Sequence, residues 1–462
     1  MMRARRFVLS LALLGLGAAA VVALHLGHRA AAIGTAFAAK TVCSAAFVSG
    51  RKPEWVIAED LGAYRSRPLE LVEIDVDSRA RVVTGRFLGL AERKAVYRNG
   101  LGCTLATGAG VAALPAAAPQ PAPNARPDAL WPDGTRVAFE RQDALERALD
   151  EAFTELTPDR PKRTRAVVVV HRGRIVAERY ALGVGPGMPL PGWSMTKSVT
   201  GALAGTLVGL GVWRLDAPPP FAAWRAQGDP RGAITLDQLL RMSTGLEFHE
   251  DYRAPLSDVN VMLWATGDAG GYAAAKPLAH APGTHWQYAS GTTNVLAAAM
   301  RETLGTAYAG YPRRALFEPL GMTSAVIEPD ASGTYVGSSL MFATARDWAR
   351  FGLLFASDGV WRGARVLPEG WARYSATPAP AATAADYGAH WWLKLERGPG
   401  ASAKLPPDAF HAAGHGGQYV SVVPSQALVV VRLGHAVDQG AWDQETFVAR
   451  IIAALGNGER AS

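Results

Sequence analysis

Residues 192–211 read GWSMTKSVTGALAGTLVGLG, in which Ser194 stands just ahead of an apolar run and Lys197 follows three positions on. The run from Lys197 to Gly211 predicts a buried helix. Positions i and i+3 share a helix face, so the Lys197 amine can reach the Ser194 hydroxyl. A residue at a helix start also keeps its backbone N–H free, at the positive end of the dipole. This is the outline of an activated nucleophile. A lone serine–lysine pair at this spacing arises by chance in long chains, so its surroundings decide its meaning.

Just upstream, Val167 to Val170 and Ile175 to Ala177 flank Arg172-Gly173, which predicts a hairpin of a buried antiparallel sheet. Near the other end, Val422-Val423 and Ala427 to Leu433 predict two more hairpin strands. Gln142 to Leu156 has helical spacing, and helical patterns alternate with Gly- and Pro-rich loops in between. Strands at both ends with helices between them predict a sheet assembled from the two termini, hence an α+β fold.

The 462 residues, 49% of them hydrophobic and 19% charged, exclude a wholly disordered chain. Residues 1–38 read as a membrane anchor or a signal peptide. Arg3, Arg5 and Arg6 precede Phe7 to Gly27, a run without formal charge that is long enough to cross a bilayer. Ala36-Phe37-Ala38 offers a cleavage site, but far behind that run. The expectation is a periplasmic body anchored in the inner membrane through residues 7–27, or a secreted one if the chain is cleaved near Ala38. In an oxidising compartment Cys43 and Cys103 most simply form one disulfide, the alternative being two separately buried thiols. Residues 39–111 alternate as a small β-rich module, 112–136 form an Ala/Pro-rich linker, 137–455 the main domain and 456–462 a tail.

The formal charge is +7, yet residues 1–38 hold four arginines and no acid, leaving +3 for the other 424 residues. No polyanionic or nucleic-acid partner is expected. No C-x-x-C or Cys/His set suggests a metal, and no cofactor is implied.

Two further motifs follow the first. Tyr288-Ala289-Ser290 offers a phenol that passes protons if a cation lowers its pKa, and a short hydroxyl that can hold a partner or substrate. His415-Gly416-Gly417-Gln418 offers two glycines that let substrate approach the backbone and then an N–H for a developing oxyanion.

In this order and at these separations the three motifs resemble the serine β-lactamase and penicillin-binding family, in its class C-like branch of esterases, D-aminopeptidases and 6-aminohexanoate-dimer hydrolase. The resemblance spans residues 137–455 and includes ITLDQLLRMSTGL (234–246), ALFEPLGM (315–322) and GHGGQY (414–419). It implies an antiparallel sheet flanked by helices, plus an all-helical region. It also implies that Ser194 is the acylated nucleophile, Lys197 its general base with a depressed pKa, and Tyr288 the shuttle to the leaving group. The backbone N–H groups of Ser194 and Gln418 would form the oxyanion hole, with Ser290, His415, Gly416 and Gly417 meeting substrate.

Two positions depart from the class C pattern: Ser290 replaces the usual asparagine, and His415 the lysine that grips a substrate carboxylate. A mostly neutral histidine favours an ester or linear amide over a β-lactam. The non-enzyme alternative is a sensor or cell-wall-binding protein on the same scaffold. An α/β-hydrolase lacks its G-x-S-x-G here, and a zinc site on His411 and His415 is opposed by the glycines around them. The stretch Glu247 to Lys276, with Tyr252, Asp258, Trp264 and Tyr272, is expected to overhang the site.

Overall fold

The computed structural model describes residues 2–64, 66–107, 126, 128–155, 157–382, 386–395, 405–438 and 440–458. The linker expected at 112–136 therefore falls largely outside the described residues. Helix α1 (Met2–Phe47) runs without a break across residue 38, where the sequence divides anchor from module. Its two halves have opposite surroundings. Leu13, Leu14, Leu16, Val21, Val22 and Leu24 are all more than half exposed, whereas Ala36, Ala38, Ala39 and Val42 are fully buried.

The buried half of α1 packs on an antiparallel sheet of β1 (Val72–Asp77), β2 (Val82–Phe87), β3 (Ala91–Arg98) and β4 (Gly102–Leu105), in that spatial order. Val83 of β2 and Ala95 of β3 are directly opposed and fully buried. The β-rich pattern expected over residues 39–111 therefore holds from Val72 to Leu105 and not before it. Val42 to Phe47 are the last turns of α1, and Leu69 lies in a helical turn, Arg67–Glu70, that Pro68 helps to start. Helical turns also occupy Pro53 to Tyr64.

The main body follows with α2 (Asp143–Phe153) and the hairpin β5 (Thr164–His171) and β6 (Arg174–Tyr180). Next come α3 (Met195–Gly209), α4 (Asp258–Trp264), α5 (Ala269–Ala274), α6 (Ser290–Leu304) and α7 (Ala345–Ala356). Strands β7 (Phe410–Gly414), β8 (Gln418–Val423) and β9 (Leu428–Gly434) then precede α8 (Gln444–Gly458). The five strands form one antiparallel sheet in the order β7-β8-β9-β5-β6, so the two ends of the domain do build it together. Strand β7, FHAAG, carries no β-branched residue, and its place in the sheet was not legible in the sequence.

The valine run of β5 serves both faces of that sheet. Val167 and Val169 pack with Leu149 of α2 and Val448 of α8, while Val168 and Val170 join the larger core on the side of α3 and α7. A strand covered on both faces has no need of polar alternation.

A compact tie joins the small sheet to the main body. The disulfide Cys43–Cys103 links α1 to β4 with a Cα separation of 6.1 Å. Beside it the fully buried Glu328 carboxylate accepts from the Cys103 N–H (2.6 Å) and the Ser44 hydroxyl (2.9 Å), and pairs with the buried Lys40 ammonium. Removing one member of a buried pair strands the other charge, at a cost of about 3–5 kcal/mol. Glu328→Ala should therefore lower the melting temperature of the full chain in detergent sharply, and Lys40→Met in the same protein should restore most of it. A Glu328→Ala melt that coincides with wild type would show that the tie carries no such energy.

Candidate active site

Ser194 caps α3 with helical angles (φ −63°, ψ −9°), and the preceding Trp193 is in the left-handed region at φ 48°. A bulky residue is rarely found there, so the turn into the helix is held by its surroundings rather than by local preference. Helix α3 is buried from Met195 to Leu207. Apolar packing on every side is what places a lysine, Lys197, at 1% exposure one turn inside it.

The Lys197 Nζ lies 2.8 Å from Ser194 Oγ, 3.0 Å from Ser290 Oγ and 3.1 Å from the Ser338 carbonyl oxygen, and 4.8 Å from the centre of the Tyr288 ring. Three oxygens match the three protons of an ammonium. Burial nevertheless costs the charged form more than they return. The Lys197 pKa falls to about 8, desolvation outweighing the attraction of Glu250. When the amine is neutral, the Ser194 O–H donates along the same 2.8 Å contact.

Tyr288 hydrogen-bonds Ser194, but its pKa moves the opposite way from the sequence expectation. Burial raises it, and the Glu250 carboxylate adds to the rise. Tyr288 is therefore a neutral phenol, and any proton it passes it must accept and release in one exchange.

Glu250 itself carries no motif signal. It lies within the expected overhanging segment, where it was not singled out, and it accepts from both the N–H (2.8 Å) and the hydroxyl of Ser290 at the start of α6. The second motif is thereby fixed to that segment. His390, also unread, joins the two motif helices: its carbonyl accepts from Ser198 Oγ (2.7 Å) and its ring bonds Thr293 Oγ1 (2.7 Å) and the Leu240 carbonyl (2.8 Å).

The third motif is the turn between β7 and β8, with Gly416 and Gly417 at φ 73° and 79°. The turn lies against Ser194: a Cβ on Gly414 would sit 2.2 Å from the Gly192 carbonyl oxygen and 3.1 Å from the Ser194 nitrogen, which only glycine avoids. Gln418 is held by its own side chain, whose Nε2 donates to the Gly434 carbonyl (2.6 Å) while its Oε1 accepts from the Gly434 N–H (3.0 Å). His411 lies farther along β7, bonded to Ser421 Oγ at 2.9 Å, away from the setting of His415.

His415 is enclosed by aromatic rings. Its ring stacks with Tyr64 (5.9 Å) and Tyr252 (5.6 Å), meets Trp193 edge-on (5.3 Å), and its Nε2 is 3.0 Å from the Tyr64 hydroxyl. Burial lowers its pKa to about 4, so it is neutral at pH 7. Tyr64 comes from the amino-terminal module and had no signal in the sequence; Phe37 of α1 packs on both Tyr64 and Trp264 behind it. The aromatics of the overhanging segment divide accordingly. Trp264 is core, Tyr272 donates to Asp258 (2.6 Å), and Tyr252 faces His415 with its buried hydroxyl near Ser290 and Ser339, burial pushing its pKa up.

A protein-family model described as Beta-lactamase matches residues 149–453. The chain is 29% identical over 239 residues to the 6-aminohexanoate-dimer hydrolase of Paenarthrobacter ureafaciens, covering 49% of this chain and 58% of that one; it thus spans less than two thirds of that relative. Among solved structures, a candidate 6-aminohexanoate-dimer hydrolase from Bacillus anthracis superposes with a TM-score of 0.54 at 20% identity, covering 89% of this chain and 95% of that one. That is more of the chain than residues 149–453 make up. A penicillin-binding protein homologue from Caulobacter crescentus superposes with a TM-score of 0.54 at 16% identity, covering 70% and 98%. At such identities the superpositions speak for the fold alone, and it is the family match, spanning well over half of the sequence, that identifies the chain as a member of the Beta-lactamase family.

Proposed function

We propose that the protein is an exported serine hydrolase that cleaves an ester or linear amide through a covalent acyl-enzyme. The observation that carries this reading is the 2.8 Å contact between Ser194 Oγ and a Lys197 amine whose pKa burial has brought down to about 8. Neutral Lys197 takes the Ser194 proton as Oγ bonds to the substrate carbonyl carbon. The oxyanion that forms is met by the N–H groups of Ser194 and Gln418, a donor of this kind being worth about 2.7–4 kcal/mol. Tyr288 passes a proton to the leaving alcohol or amine as the carbonyl–heteroatom bond breaks. Water then attacks the acyl-enzyme along the same path in reverse, releasing the acid and Ser194.

Ser290 and Glu250 position Lys197, and His415, Gly416 and Gly417 line the edge where substrate lies. An uncharged imidazole in the place of a fixed cation supports a substrate without a carboxylate at that position, and the name of the Paenarthrobacter relative supports a linear amide. Export to an oxidising compartment with the amino-terminal helix retained is supported by the disulfide and by Ala36 to Ala38, which lie in the packed half of α1 rather than in an accessible strand.

A fluorophosphonate probe should label wild type and not Ser194→Ala; equal labelling of both would remove the reading. Lys197→Ala should lower kcat/KM about a thousandfold. The base works only when neutral, so kcat/KM should rise with pH through about 8. Glu250 holds the Lys197 pKa up, and Glu250→Gln should shift that rising limb to lower pH, a displacement that mere loosening of the loop would not produce. His415→Ala should alter the ratio of ester to amide turnover more than it alters either rate, as measured on nitrophenyl esters and amide dimers.

A further inference from the structure

Beside the site lies a groove of about 880 Å³ between α1 and the segment that carries Glu250. One wall is Leu26, Gly27 and Ala30 of α1; the other includes Phe248, Pro255 and Leu256. The groove is apolar along α1 and turns polar at Glu250 and Gln287, next to the second motif. From Glu250 a chain of hydrogen bonds runs through Ser290 and Lys197 to Ser194.

The position of this groove along α1 matters more than its size. Phe7 to Gly27 is 21 residues, about 31 Å of helix, which is the thickness of a bilayer core. Leu26 to Ala30 thus stand where that core ends, and the exposed Arg29 marks the headgroup level. Because α1 continues without a break into the packed half that begins at Ala32, the level of the groove is fixed by the fold.

We infer that the acyl chain of a membrane-borne amphiphile, a long-chain ester or amide, enters this groove from the bilayer surface and delivers its carbonyl to Ser194. This rests on the acyl-enzyme reading above and adds to it the class of substrate. The apolar wall takes the tail, and the Glu250 carboxylate repels the carboxylate product from the polar end. Occupancy requires no chain to leave the bilayer fully, since the wall at Leu26 is continuous with the lipid-facing side of the helix.

The test uses the full chain in vesicles of phosphatidylethanolamine and phosphatidylglycerol. The Ser194→Ala protein is irradiated with a nitrophenyl ester of a diazirine-bearing dodecanoic acid and the adducts are mapped. Adducts on 26–30 and on 248–257 are expected, and Ala30→Trp, which fills the groove, should deplete those on 248–257. Adducts confined to 13–25 would overturn the proposal, and this outcome needs no turnover, so it is distinct from a failure of the acyl-enzyme reading. In protein that retains Ser194, kcat/KM for nitrophenyl dodecanoate should exceed that for the butyrate. Ala30→Trp and, on the opposite wall, Leu256→Asp should each cut that ratio about tenfold, the equivalent of roughly two buried methylenes. A ratio of one in wild type, or one that neither variant moves, would also overturn it.

Discussion

A buried lysine amine given three oxygen partners is the constraint around which this molecule is arranged. Lys197 is brought towards neutrality because α3 is buried along nearly its whole length, and it is held in place by Ser194, Ser290 and the Ser338 carbonyl. Each partner must then be fixed independently. Ser194 is fixed by the turn at Trp193 and the close approach of Gly414, Ser290 by Glu250, and the two helices that bear them by His390.

The amino-terminal module bears on the same arrangement from outside. Tyr64 covers His415, Phe37 backs Tyr64, and the module is bound to the sheet by buried charge: Asp60 pairs with Arg51 and Arg165, which hold its carboxyl at about 2. His435, beside the third motif, bonds the Asp60 carbonyl through Nε2 at 3.0 Å. The residues around His415 therefore come from both ends of the chain, and the family match that starts at residue 149 contains only part of them.

Legibility in the sequence followed physical locality. The hairpin at Arg172-Gly173, the buried helix after Ser194 and the final strand pair could all be read, because uninterrupted apolar runs and a turn dipeptide are local signals. The three motifs were readable as a set because each carries its chemistry within a few residues. Glu250, Tyr64 and His390 were not, since each acts through a contact made far away in sequence and looks locally like any loop residue. The direction of the Tyr288 shift was missed for the same reason: a nearby lysine can be guessed from a motif, whereas complete desolvation is a property of the whole fold.

The continuity of α1 has a practical side. An apolar leader is routinely deleted to obtain soluble protein, and the A-x-A at 36–38 invites a cut there. Such a cut would remove Ile33, Ala36 and Ala38 from the core along with Phe37 from behind Tyr64, and would leave Lys40 to Cys43 as a frayed start facing Glu328. A soluble form has to begin before Ala32, where burial sets in, and accept a short greasy overhang as the cost of keeping Tyr64 backed against His415.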